Sequence, residues 1–209
     1  MSHARFDDSA REALTACVRN IETKTDAELV LIVRARSGSY RHADYLVGVL
    51  LAFVSLFFLL FSPIEFHPNW VLIDVVVLFL LGTLLSSRSN ALRRLLTRKS
   101  SRKAMVRTHA AAMFYEAGIA NTDSETGVLV YLSLLERRVE VIADRGVLKA
   151  VPALEWNEQL FELHQAGRNP DSDSLLEALR RLGFLLAAHL PATGENPNEL
   201  ADRPHFELE

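Results

Sequence analysis

The apolar residues of this chain fall into runs of two different lengths. The two long runs, residues 45–62 and 70–86, contain one charged residue between them, Asp74. An α-helix rises 1.5 Å per residue and the hydrocarbon core of a bilayer is about 30 Å thick, so each run predicts a helix at the short end of the spanning range. A chain of 209 residues has no room to surround two such helices. We therefore expect a transmembrane hairpin over residues 44–86.

Asp74 is the exception within these runs. A carboxylate at the bilayer centre costs about 2.5 to 3.5 kcal/mol on insertion scales. Asp74 follows Trp70 by one helical turn, which places it just inside the interface, where snorkelling and the helix N-terminus relieve the charge. A proton or ion path is the alternative, but the runs contain no second charge to serve it.

Shorter patterns of helix and strand length flank the hairpin. Residues 27–35 and 127–135 are continuous apolar runs typical of strands buried on both faces, and residues 139–144 return as a hairpin strand. Helical patterns precede the first strand, connect the hairpin to the second, and follow the third. This order predicts an α/β fold with a small mixed sheet, a βαββ core covered by helices, in which strands 27–35 and 127–135 are parallel.

The domain organisation follows from what each flank lacks. Residues 1–43 hold one helix and one strand, which need a partner sheet. We therefore expect residues 1–43 and 104–190 to form one domain, interrupted by the hairpin and by a basic juxtamembrane helix over residues 87–103. The tail, residues 191–209, has too little apolar content to pack and is predicted to be disordered.

The composition, 49% hydrophobic and 23% charged, is ordinary on average, but positive charge is unevenly placed. The loop at residues 63–69 has no Lys or Arg, whereas basic residues lie outside both ends of the hairpin. Positive charge beside membrane segments stays on the cytoplasmic side. We therefore expect a protein of the bacterial inner (plasma) membrane with both termini in the cytoplasm. No signal-peptide pattern precedes Tyr45, so we expect a permanent internal anchor. The lone Cys17 excludes an intrachain disulfide and is compatible with a reducing compartment.

The basic segment after the hairpin predicts contact with anionic lipid headgroups. Its leucines follow helical spacing among the basic residues, each of which contributes about 1 kcal/mol near an anionic surface. The predicted lipid-contact residues are Arg88, Arg93, Arg94, Arg98, Lys99, Arg102 and Lys103. Nucleic acid is the competing partner for a basic run. The position directly after a membrane helix favours lipid, so we expect no nucleic-acid binding.

Two candidate ligand sites lie at the ends of the predicted strands. The topology gathers acidic residues at the amino ends of the parallel strands, and these could hold Ca²⁺ or another divalent cation through oxygen ligands. This acidic rim consists of Asp26, Asp123, Glu125 and Asp144. Solvated or capping carboxylates are the alternative interpretation. Arg137 and Arg138 could bind an anion, although a solvated hairpin turn explains them as well.

Catalytic motifs are weak in this sequence. It contains no nucleophile elbow and no phosphate-binding glycine loop, and its histidines are scattered. His109 and His164 fall on predicted helices as surface or core residues. A metal-assisted phosphatase would therefore depend on the acidic rim.

The stretches "IETKTDAELVLIV" and "TGVLVYLSLLERRVEVIADRGV", followed by a helix near Trp156, resemble the TPM domain family. That family includes thylakoid-lumen proteins of photosystem repair, bacterial membrane-anchored homologues and an animal receptor-associated membrane protein. The resemblance implies helices covering a small sheet, and acid phosphatase activity in some plant members. Here a membrane hairpin interrupts the domain, as in one bacterial subgroup, and "ADRGV" replaces the glycine-rich segment after the third strand.

Two functions of different classes follow. The first is a non-catalytic module for interaction with other membrane proteins, serving their assembly or maintenance. The alternative is a membrane-anchored acid phosphatase that depends on a divalent metal. The missing catalytic constellation favours the first, and whether the protein is an enzyme stays open.

Overall fold

The computed structural model describes residues 6–64, 66–122, 124–194 and 204–208. The chain divides into two compact units. One unit contains residues 1–37 and 103–209, and the other contains residues 38–102. The second unit is therefore an insertion in the sequence of the first.

The larger unit contains a four-stranded mixed sheet. Its strands are β1 (Glu28–Arg34), β2 (Gly127–Ser133), β3 (Arg138–Ala143) and β4 (His205–Glu207), in the order β3-β2-β1-β4. β1 and β2 are parallel with Glu28 opposite Gly127, and β2 and β3 are antiparallel with Val128 opposite Ala143. These pairings confirm two predictions: the parallel pairing of β1 with β2 across the inserted segment, and the β-hairpin of β2 and β3.

Helices make up most of the described chain. In chain order they are α1 (Asp8–Glu22), α2 (Arg41–Phe61), α3 (Pro68–Ser87), α4 (Asn90–Leu96), α5 (Lys99–Glu116), α6 (Arg145–Ala150), α7 (Ala153–Arg168) and α8 (Ser172–His189). Local signals set several of their ends. Asp7 caps α1 by accepting a hydrogen bond from the Ala10 amide at 2.9 Å, and Gly118, just after α5, adopts the left-handed φ of 72° that favours glycine.

Helices cover both faces of the sheet, which explains the continuous apolar character of β1 and β2. On one face, Leu29, Leu31 and Val33 of β1 share a core with side chains of α1, α7 and α8. On the other face, Val30 and Ile32 pack with residues of α5. Alternate residues of the same strand are therefore buried in different cores, so no polar position interrupts the run.

Part of the tail departs from the predicted disorder, while residues 195–203 and 209 lie outside the described residues. His205–Glu207 forms β4, which runs parallel to β1 with Ile32 opposite His205. Leu208 is buried, and Phe206 packs against the main core. The reason is that the outer edge of β1 offers backbone groups that a short extended segment can pair with.

The basic segment also departs from its prediction, because residues 87–103 do not form one helix. Ser89 caps α4 by accepting a hydrogen bond from the Leu92 amide at 3.3 Å. Thr97, at the other end of α4, is extended. A hydroxyl that bonds a backbone amide favours a helix start at Ser89 over one continuous helix, and α5 begins only at Lys99.

Candidate functional site

The two long helices of the smaller unit, α2 and α3, carry the largest exposed apolar surface in the described chain. Both are long and apolar enough to cross a membrane by length and composition. Only 17% of the apolar stretch of α2 and 11% of that of α3 is buried. A core helix of a soluble protein buries most of such a stretch, whereas these side chains point outward.

The same two helices pack closely against each other at paired glycines. A Cβ atom on Gly82 would lie 3.0 Å from the Gly48 Cα and 3.1 Å from the Val47 carbonyl oxygen. A Cβ on Gly48 would lie 2.7 Å from the Phe79 carbonyl oxygen. The backbones therefore touch, as small residues allow between membrane helices.

Polar side chains within the hairpin find partners inside it. Ser55 of α2 donates a hydrogen bond to the Asp74 carboxylate of α3. Near the other end, Asp44 accepts a hydrogen bond from Ser86 Oγ at 3.0 Å. Asp74 is therefore hydrogen-bonded across the hairpin, a contact that adds to the snorkelling and the helix N-terminus expected from the sequence.

Arg93, one of the predicted lipid-contact residues, has a carboxylate partner within the smaller unit. Its guanidinium forms a two-pronged ion pair with Asp44, with Nη2 2.6 Å from Oδ2. The side chains of Arg93 and Asp44 are only 11% and 7% exposed, so the guanidinium is paired with a carboxylate of the same unit. The sequence pattern could not show this pairing because the partners are far apart in the chain.

The other basic residues of the set remain predicted lipid contacts. Arg88, Arg98, Lys99 and Lys103 are exposed. Arg94 and Arg102 are half-buried, and Leu95 on α4 is among the most exposed large apolar side chains.

Three residues of the acidic rim are described, and each takes part in local hydrogen bonds. The Asp26 carboxylate accepts hydrogen bonds from the Thr193 amide at 3.0 Å and the Thr193 hydroxyl at 2.8 Å. Asp144 caps α6 by accepting from the Arg145 amide at 2.7 Å. Glu125 has a φ of 52°, and its carbonyl oxygen accepts from the Gly146 amide.

Three features bear on metal binding at this rim. Asp123 lies outside the described residues. Among the residues that are described, no group of three or more His, Cys, Asp or Glu could hold a metal ion. The second oxygen of Asp144 is nevertheless buried without a hydrogen-bond partner in that part of the chain. Ca²⁺ or another divalent cation at this rim therefore stays a prediction.

The "ERR" turn separates its three residues. Arg137 has a φ of 53° and is exposed, whereas Arg138 begins β3 with its Nε buried. Glu136 points inward and is 4% exposed. Anion binding by the two arginines stays a prediction.

Glu136 belongs to a buried polar cluster formed by Ser37, Tyr131, Ser133 and Glu136. Its carboxylate accepts hydrogen bonds from the Ser37 amide at 2.9 Å and from the Ser133 hydroxyl. The Ser37 hydroxyl lies 2.9 Å from the Tyr131 hydroxyl and 2.8 Å from Ser133 Oγ. Burial raises the pKa of the Tyr131 phenol, so it stays neutral over the physiological range.

This polar cluster fixes the path of the chain as it leaves β1. Beside it, the amides of Leu134 and Leu135 donate to the carbonyl oxygens of Arg34 and Ala35, each at 2.9 Å. The segment after β1 is thus tied to the β2–β3 turn by backbone and side-chain bonds. No motif in the sequence points to this cluster, although Ser133, a lone hydroxyl in an apolar strand, is a signal for it. All four side chains are too buried to reach a substrate.

The two helical histidines bond to their own helices. His109 Nδ1 lies 3.2 Å from the Met105 carbonyl oxygen, and His164 Nδ1 lies 2.6 Å from that of Leu160. Neither imidazole is held beside a nucleophile by these bonds.

Comparison with known proteins gives a likeness in fold. No family model matches the chain, and no curated protein matches it. The NMR structure of BA42 protein from the psychrophilic bacterium Bizionia argentinensis sp. nov. is similar, with a TM-score of 0.56 and 14% sequence identity. The match covers 96% of this chain and 94% of that one. At this identity the likeness concerns the fold alone.

Proposed function

We propose that this chain is an integral membrane protein that carries a cytoplasmic TPM-like α/β domain. In this proposal α2 and α3 form the anchor, and the domain is a non-catalytic interaction module for the assembly or maintenance of other membrane proteins. The observation that carries the proposal is the outward-facing apolar surface of α2 and α3.

The anchor follows from the free energy of that surface. Apolar area left in water costs roughly 25 cal/mol per Å² relative to an apolar environment, and the side chains of α2 and α3 expose far more of it than an ordinary surface. The polar groups Ser55 and Asp74 are turned toward each other instead of outward. A lipid environment satisfies both features, since backbone groups are bonded within each helix.

The orientation rests on the basic residues. They lie before α2 and after α3, while residues 62–67 between the helices contain none. The rule that positive charge stays inside then puts both termini in the cytoplasm.

The interaction role draws on the exposed face of α7. Leu154 and Phe161 are two turns apart on the same side of the helix and are 72% and 62% exposed. Large apolar side chains that repeat along one face are typical of contact with another protein.

Membrane fractionation and cysteine labelling test the anchor. In a Cys17→Ala background, we expect the full chain to resist alkaline extraction from membranes. A cysteine at Ile64 should react with an impermeant reagent in whole cells, whereas a cysteine added at the C-terminus should react only after lysis. Release by alkali would refute the anchor, and labelling of the C-terminus in whole cells would refute the orientation.

Site-specific photo-crosslinking tests the module. A photoreactive residue at Phe161 should form discrete adducts with membrane proteins in cells, and the same residue at exposed Glu12 of α1 should not. Hydrolysis of a generic phosphate ester by the purified full chain, dependent on Ca²⁺, Mg²⁺ or Mn²⁺, would instead support the phosphatase and refute the non-catalytic role.

A further inference from the structure

A small cavity lies between α1 and α8 in the larger unit. Its volume is about 200 Å³. The lining residues are Asn20, Ile21, Lys24, Arg180, Gly183, Phe184 and Ala187. Most of the wall is apolar, and Phe184, at its opening, is 72% exposed.

Gly183 shapes this cavity by letting the two helices approach. A Cβ atom on Gly183 would lie 2.5 Å from Ile21 Cγ1, closer than real side chains come. The helices therefore touch at this point, and the cavity lies beside the contact. Ala187, one turn further along α8, leaves room because its side chain is small.

Charge at the cavity has one sign. Lys24 and Arg180 are its ionisable lining residues, and neither forms an ion pair with a carboxylate in the described part of the chain. Arg180 lies against the buried Cys17 thiol. Burial raises the pKa of that thiol, so the neutral thiol adds no negative charge beside the exposed guanidinium.

The size of the cavity limits the tail of a ligand. An apolar cavity of about 150 Å³ binds benzene, so this one has room for an apolar group of about six to eight carbons. Lys24, Arg180 and the Asn20 amide line the cavity and can bind an anionic head group.

We propose that this cavity binds a short amphiphilic carboxylate, with the apolar tail between Ile21 and Ala187 and the carboxylate at Lys24 and Arg180. This site is separate from the proposed interaction face of α7. It does not depend on the membrane anchor.

Isothermal titration of the full chain in lipid nanodiscs with sodium octanoate tests the site, with empty nanodiscs as the blank. We expect saturable binding at one site per chain. Butyrate, with the same head and a shorter tail, and 1-octanol, with the same tail and no charge, should each bind at least about tenfold more weakly.

Variants separate this site from partition into lipid. The pair Lys24→Gln and Arg180→Gln should weaken octanoate binding about tenfold or more, whereas Lys149→Gln, an exposed cation on α6, should leave it unchanged. Ala187→Phe should fill the cavity and abolish binding, with folding checked by circular dichroism. Heats equal to those of empty nanodiscs, equal affinity for octanol, or full affinity in the double charge variant would each overturn the proposal.

Discussion

Arg93 and Asp44 are 49 residues apart in sequence, yet the guanidinium donates from Nε to Oδ1 at 3.0 Å and from Nη2 to Oδ2 at 2.6 Å. This ion pair joins α4 to the first turn of α2. Both side chains are nearly buried, so the two charges compensate each other away from solvent.

Arg93→Gln should therefore destabilise the full chain by about 3 to 5 kcal/mol, because it removes the guanidinium that donates two hydrogen bonds to the nearly buried Asp44 carboxylate. Denaturant unfolding in detergent micelles measures the change. Asp44→Leu combined with Arg93→Met should recover most of the loss, since an apolar pair replaces both charges. Arg88→Gln is the control on an exposed cation, and equal losses for Arg88→Gln and Arg93→Gln would contradict the assignment.

Gly48→Ala should force α2 and α3 apart, because the added Cβ would lie 2.7 Å from the Phe79 carbonyl oxygen. We expect a loss of about 1 to 3 kcal/mol, as for overpacked interiors. The same unfolding measurement checks it. Val49→Ile adds one carbon on the neighbouring exposed side chain and should have little effect. An unchanged Gly48→Ala protein would mean that the helices do not pack at the glycines.

Glu136→Ala should destabilise the larger unit, because the Ser37 amide and the Ser133 hydroxyl lose their acceptor in a buried site. Each buried donor left without a partner costs about 1 to 3 kcal/mol. Amide hydrogen exchange at Ser37 should accelerate at the same time, which an effect on bulk stability alone would not single out. Glu158→Gln, an exposed change on α7, is the matched control. Ser37 protection that survives Glu136→Ala would show that the cluster does not hold this segment.

The free energy of unfolding should depend on pH through the carboxyl group of Asp7. Hydrogen bonds from the Ala10 amide and the Ser9 hydroxyl lower the pKa of its carboxyl in the folded chain. A carboxyl with a depressed folded pKa contributes stability above its unfolded value, about 3.9, and loses that contribution as the pH falls through the folded value.

Asp7→Asn keeps an acceptor at the cap but does not titrate, so any stability advantage of the wild type over it should shrink as the pH drops below about 4. Thermal unfolding between pH 3 and pH 7 measures this difference. Asp7→Ala should be less stable than Asp7→Asn throughout, because it removes the cap. A wild-type advantage that grows on acidification would give the opposite sign.

Those helices and strands could be predicted from the sequence whose buried side chains follow a regular local spacing. The unbroken apolar runs of β1 and β2 mark strands covered on both faces, and the helical spacing of Leu14 and Val18 marks the buried face of α1. α2 and α3 could be recognised as candidate membrane spans from their length and their nearly uncharged apolar composition, without any knowledge of tertiary contacts.

The elements that were missed depend on distant partners. Three residues of β4 form a strand only because β1 offers an edge, and no local pattern in His205–Glu207 reports that edge. The inward turn of Glu136 depends on the Ser37 amide, 99 residues away. Arg93 looked like its basic neighbours until the fold brought Asp44 beside it.

The position of α2 and α3 within the larger unit also sets an order of events during synthesis. β1 leaves the ribosome before either strand that it pairs with, since β2 begins at Gly127 and β4 at His205. Folding during translation proceeds from the N-terminus, but β1 has no neighbour to pair with until the hairpin has been made. In the proposed topology the hairpin is therefore available to the insertion machinery before the sheet can close. The nascent β1, apolar on both faces, is an obvious client for a chaperone during that interval.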